Sequence, residues 1–141
     1  MKKLVRIAAL SLVAVMLCGM LTACGAPAKD PADAKAALEK ADYTILESDT
    51  ALPIAFKVLG YDLSSVVTAT KTSKNDNGDT VIDHVTIFYF ADKDNATKAM
   101  EKVKEQAKND KKEADDTNWV EPTQSGSMIY YGTKAAIKAA K

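Results

Sequence analysis

Ser64-Ser65-Val66-Val67-Thr68-Ala69-Thr70-Lys71 and Thr80-Val81-Ile82-Asp83-His84-Val85-Thr86-Ile87-Phe88-Tyr89-Phe90 flank the polar stretch Asn75-Asp76-Asn77-Gly78-Asp79. Both arms are rich in β-branched residues, and Asn-Gly between two such runs reads as a hairpin. A two-residue type I′ loop at Asn77-Gly78 sets Val66 against Tyr89, Thr68 against Ile87 and Thr70 against Val85. Val67 then meets Phe88 and Ala69 meets Thr86 on the other face. Val85 to Phe90 is apolar on both faces apart from Thr86, which suits a central strand.

On the C-terminal side, Asp92 or Asp94 is placed to cap a helix. Ala96, Ala99, Met100, Val103 and Ala107 keep one of its faces apolar, while Lys98, Glu101, Lys102, Lys104 and Glu105 cover the rest. The charged positions from Lys98 to Lys112 mix both signs and read as a solvated helix face. Asn109 to Asp116 reads as a charged loop. Trp119-Val120-Glu121 and Ser127-Met128-Ile129-Tyr130-Tyr131 read as strands around a turn containing Pro122, Gln124 and Gly126. Thr133 is positioned to cap a closing helix, Lys134 to Ala140.

On the N-terminal side, Leu52, Ala55, Phe56 and Leu59 form a helical stripe, with Thr50 as N-cap and Gly60 as the stop. Tyr43-Thr44-Ile45-Leu46 reads as a strand. Asp30-Pro31 begins a helix, with a carboxylate at the cap and proline at the first helical position. Ala34, Ala37, Leu38 and Ala41 make its shallow stripe. Gly25 to Lys29 offers little to bury and reads as a tether.

From Tyr43 the order is strand, helix, two strands, helix and a final strand pair. That is the β-α-β-β-α-β order of a ferredoxin-like α+β fold. The expectation is an antiparallel sheet of four to five strands with helices on one face and an extra helix at each end. Residues 31–141 then form a single domain, preceded by a tether over 24–30.

Met1-Lys2-Lys3-Leu4-Val5-Arg6 is basic, and Ile7 to Leu21 is apolar apart from Ser11 and Gly19. A basic start followed by about 7–15 apolar residues is a secretory signal. The run falls short of the roughly 18 apolar residues expected of a spanning helix. It ends on Leu21-Thr22-Ala23-Cys24, which resembles the lipobox of bacterial lipoproteins. The resemblance implies that the Cys24 thiol carries diacylglycerol and that residues 1–23 are cut away between Ala23 and Cys24. Two acyl chains hold a protein stably where one does not, so the expected location is the cell membrane, on its extracytoplasmic face. The domain that follows resembles small lipoproteins of Gram-positive bacteria, a likeness that carries no functional motif.

Without residues 1–23 the chain has 118 residues, with 16 basic against 19 acidic, because Lys2, Lys3 and Arg6 leave with the signal. A mildly acidic domain argues against nucleic acid as a partner. With Cys18 removed in the signal and Cys24 lipidated, as the resemblance implies, no pair of thiols remains for a disulfide.

Few residues suit catalysis or metal binding. His84 is the sole histidine and reads as a solvated strand residue, opposite Lys71 in the register above. One histidine does not make a zinc site. Aligning Gly78 with the glycine of a calcium loop puts Ser73 and His84 where acidic ligands are needed. No nucleophile elbow or phosphate loop occurs. Neither cofactor nor metal is expected.

Trp119, Tyr130 and Tyr131 are candidates for a binding surface on an open sheet face. They would meet a peptide, glycan or envelope protein, although core packing, or cover from the end helices, competes for the same residues. The expected role is therefore a membrane-anchored, non-enzymatic binding module. The alternative is a carboxylate-based envelope or cell-wall hydrolase, which needs two acidic residues converging in a cleft. Asp115 and Asp116 are adjacent carboxylates in a charged loop and read as solvated.

Overall fold

A computed structural model describes residues 25–46, 51–112, 114 and 118–141, with the side chains of 51–54 left aside. The signal, Cys24, Thr50, Asp115 and Asp116 lie outside the described residues. The fold is α+β, with one antiparallel sheet in the order β1-β2-β3-β5-β4. In chain order the elements are α1 (Pro31–Lys40), β1 (Thr44–Leu46), α2 (Ala51–Val58), β2 (Leu63–Lys74) and β3 (Thr80–Phe90). They continue with α3 (Lys93–Lys111), β4 (Trp119–Ser125), β5 (Met128–Thr133) and α4 (Lys134–Ala139).

The β2–β3 hairpin dominates the sheet, but its register differs by one residue from the type I′ expectation. Thr70 faces His84, Ala69 faces Val85 and Val66 faces Phe88. Only Gly78 of the turn has a positive φ, at 82°. The Gly78 N–H donates to the Asn75 carbonyl at 2.9 Å, and the Asn75 N–H donates to the Asp79 carbonyl at 3.0 Å. This is a three-residue loop, Asp76 to Gly78, with glycine in the left-handed position. Asn75 selects it, because its Oδ1 accepts from the N–H groups of Asn77 and Asp79 at 3.0 and 2.9 Å.

That one-residue change reassigns faces. Val85, Ile87 and Tyr89 of β3 join Val67, Ala69, Met128 and Tyr130 on one face, beneath Ala34 and Leu38 of α1 and Ala136 and Ile137 of α4. Phe88 and Phe90 join Leu63, Ile129 and Tyr131 on the other, beneath Phe56 of α2 and Ala96, Ala99, Val103 and Ala107 of α3. Helices therefore cover both faces, not one. The cause is already in β3 and β5, which are apolar on both sides and bury every residue from Val85 to Phe90 and from Met128 to Thr133.

The sheet order also departs from the ferredoxin-like expectation. β1 pairs directly with β2, antiparallel, so no strand is interleaved across the α2 connection. Strand β4 runs straight through Pro122 to Ser125, and the turn falls at Gly126, with φ 62°. Pro122 is accommodated because β4 is an edge strand with a register irregularity between Val120 and Thr123.

Two of the expected helix starts carry the expected cap, at Asp30 and Asp92. Asp30 Oδ1 accepts from the Ala32 N–H at 2.7 Å, and Asp92 Oδ1 from the Asn95 N–H at 2.8 Å. Thr133 sits at the N-cap of α4 but makes no side-chain cap there. Its hydroxyl instead donates to Asp83 Oδ1 at 2.9 Å and accepts from the His84 N–H at 3.3 Å.

Candidate functional sites

The expected aromatic surface is divided by the sheet. Tyr130 is 9% exposed and points into the α1–α4 core, whereas Tyr131 is fully buried on the opposite face. Adjacent residues of a strand cannot share a face. Trp119 is half-buried beside Tyr131, with ring centroids 5.7 Å apart. The three residues do not form one open surface.

Instead, Tyr131 and Trp119 belong to a polar cluster beneath α3. The Tyr131 hydroxyl donates to Asp110 Oδ2 at 2.5 Å, the length of a charge-assisted bond. Gln106 Nε2 donates to Asp110 Oδ1 at 3.2 Å, and His84 Nε2 lies 3.5 Å from Asp110 Oδ2. Thr86 Oγ1 meets the same His84 nitrogen at 3.0 Å and lies 3.4 Å from Thr68 Oγ1. The His84 ring is stacked 6.2 Å from Trp119, and its side chain is 13% exposed, so it is not the solvated residue expected from sequence.

Helix propagation explains how Asp110 enters. The segment expected to begin a charged loop at Asn109 continues as α3 to Lys111. Asp110 lies one turn beyond Gln106, on the side of the helix that meets the sheet. The helix spacing from Val103 and Ala107 was a usable signal for this position.

Burial of Asp110 opposes ionisation. Hydrogen bonds from His84, Tyr131 and Gln106 and the charge of His84 outweigh it, and the carboxyl titrates below its ordinary value. Burial and the neighbouring Asp110 push the Tyr131 phenol well up. Thr86 and Asp110 both address Nε2 of His84. A nucleophile–base–acid relay needs them on opposite ring nitrogens, so Thr86, His84 and Asp110 are not arranged as such a relay. A cavity of about 270 Å³ opens beside it, lined by Thr70, Thr72, Ile82, His84, Asp110 and Ala114.

A second cavity, of about 440 Å³, lies on the other side of the sheet. Val120, Tyr130 and Ile137 form its apolar walls, and Lys134, Lys138 and Lys141 stand at it with exposed side chains. Gly25 also lines it. Sequence reading placed Gly25 to Lys29 in a tether, but this arm is docked. The Ala28 N–H donates to the Ala140 carbonyl at 2.8 Å, and the Tyr89 hydroxyl donates to the Ala28 carbonyl at 2.8 Å. Pro27 is buried, and Ala26 and Ala28 pack against the core. An arm of small residues packs closely because it brings little bulk of its own.

Among the described residues, no group of three or more His, Cys, Asp or Glu side chains is arranged to hold a metal ion. No helix among them is long and apolar enough to cross a membrane. Compared with protein-family models, curated proteins and solved structures, the chain matches none.

Proposed function

We propose that the chain is a bacterial surface lipoprotein, anchored through Cys24 after removal of residues 1–23, and that it acts as a non-enzymatic binding module. The lipobox-like Leu21-Thr22-Ala23-Cys24 supports the anchor. The observation that carries the binding role is the apolar cavity bordered by Gly25, the residue next to Cys24. Its volume lies within the roughly 300–1,000 Å³ of small-molecule sites, which are also largely apolar with a few polar groups. The binding site in this reading is therefore the cavity, and Trp119 and Tyr131 serve the core.

The hydrolase alternative asks for a carboxyl whose pKa is raised. Asp110, the carboxylate of the polar cluster, is shifted the other way and does not supply that acid. Growth on labelled palmitate tests the anchor: label enters the wild-type chain and is absent from Cys24→Ala. Incubation with purified cell-wall fragments tests the role. Release of soluble fragments by wild type, lost on substitution of an acidic residue, would replace the binding module with a hydrolase.

A further inference from the structure

We infer that the 440 Å³ cavity is a site for one anionic phospholipid of the membrane that carries the anchor, with the lipid phosphate at Lys134 and Lys138 and the adjoining methylenes against Val120, Tyr130 and Ile137. This rests on the anchored reading and names the ligand of the site proposed above.

Three observations converge on it. The first is chemical: the cavity is apolar in its walls and cationic at its edge, so it matches a ligand with a hydrocarbon part and a negative part. Lys134, Ile137, Lys138 and Lys141 recur at three- and four-residue steps, which places them along one side of α4 and the residues just beyond it. Lysine stems can lie along apolar surface while their ammonium groups reach outward. The whole domain is mildly acidic, so this cationic edge is a local feature and not a consequence of net charge.

The second is positional. Gly25 lines the cavity, and consecutive Cα atoms are about 3.8 Å apart. A diacylglyceryl group on Cys24 would bring the bilayer surface to this side of the domain.

The third is rigidity. A free tether would leave the domain's orientation on the membrane open. Here the arm is held through Ala28 by the Ala140 carbonyl and the Tyr89 hydroxyl, and by burial of Pro27. The cavity and Gly25, the residue next to the anchor, are thus held on the same side of one body.

Native mass spectrometry of the full chain, expressed in a bacterial host and released from membranes in detergent, tests this. Phosphatidylglycerol and phosphatidylcholine of equal chain length are added in competition. The expected spectrum shows the lipidated chain carrying one further phospholipid, with phosphatidylglycerol favoured. The preference should fall about tenfold or more in Lys134→Glu/Lys138→Glu, since each lysine near an anionic headgroup contributes appreciably. Both substitutions are at exposed positions, and circular dichroism checks that the fold is retained.

Equal occupancy by the two lipids, or an undiminished preference in the double variant, would overturn the lipid site. So would a bound peptide in place of the phospholipid. The protein mass in the same spectrum reports separately on the anchor. An unlipidated chain would remove the anchored reading on which the site rests, whereas a lipidated chain without phosphatidylglycerol preference would remove the lipid site alone.

Discussion

Tyr131 and Asp110 illustrate how one residue's neighbours set its protonation. Asp110 is partly desolvated yet accepts from Tyr131, and burial makes the phenol a neutral donor at every ordinary pH. Hydrogen bonds to charged groups contribute about 1.5–3 kcal/mol, so Tyr131→Phe should lose stability of that order in urea denaturation. Linkage sets a pH dependence. Because the folded-state pKa of Asp110 is depressed, its contribution is fully present above the unfolded value of about 3.9 and is lost as pH falls through the folded value. Asp110→Asn should therefore flatten the acid limb of a stability profile taken downward from about pH 6. An unchanged acid limb would separate the carboxylate from acid unfolding. Gly132 is a different kind of residue-scale constraint. A Cβ there would stand 2.8 Å from Val85 Cα and closer still to the His84 carbonyl oxygen, at a φ of 141°. Overpacking and positive-φ strain each cost about 1–3 kcal/mol, so Gly132→Ala should lower the denaturation midpoint sharply, whereas Gly126→Ala meets no neighbour and carries only the strain.

At the scale of elements, the hairpin turn and the docked arm decide the most. Asn75 holds the three-residue loop through two side-chain acceptances. Asn75→Ala should cost on the order of 1 kcal/mol, measured as a shift in the urea midpoint, while cross-strand nuclear Overhauser contacts still link Thr70 with His84 and Ala69 with Val85. Contacts linking Thr70 with Val85 would restore the two-residue loop. The arm makes a separate prediction. Tyr89→Phe removes the hydroxyl that binds the Ala28 carbonyl, so the Ala28 amide should exchange faster with deuterium while amides of β3 keep their protection. Most elements were legible in sequence because their signals are local. Asp30-Pro31 and Asp92 mark helix starts, and Val85 to Phe90 announces a strand buried on both faces. The register was not, because Asn-Gly fits both a two-residue and a three-residue loop. The choice depends on the Asn75 side chain reaching two backbone N–H groups. The one-residue shift changed which β2 residues join His84, Thr86 and Phe88 on the face that α3 covers. Thr70, Thr68 and Val66 stand opposite them, where the two-residue loop would put Val67 and Ala69 beside Phe88 and Thr86.

At the scale of the molecule, a five-stranded antiparallel sheet lies between two helical layers, with separate cores on its two faces. Coverage of both faces followed from β3, where Ile87 and Phe88 are adjacent, apolar and both fully buried. The alanine-rich stripe of α1 is shallow, so its sequence alone does not decide between an open sheet face and one covered by the end helices. The polar cluster was legible only in part: the spacing from Val103 and Ala107 puts Asp110 on the inner side of α3, but its meeting with Tyr131 depends on α3 running to Lys111 across β5. Nor could residue type alone reveal the cavity beside Gly25, which depends on how the arm, β4 and α4 are brought together. The arrangement places an apolar, lysine-edged cavity where the chain emerges toward Cys24. The central claim is that Cys24 carries the protein on the membrane, and intact mass with membrane partitioning of wild type beside Cys24→Ala tests it most directly. The account predicts loss of residues 1–23 and gain of a diacylglyceryl group in the membrane fraction, both abolished by the substitution. A wild-type chain cleaved elsewhere and released without modification would contradict it.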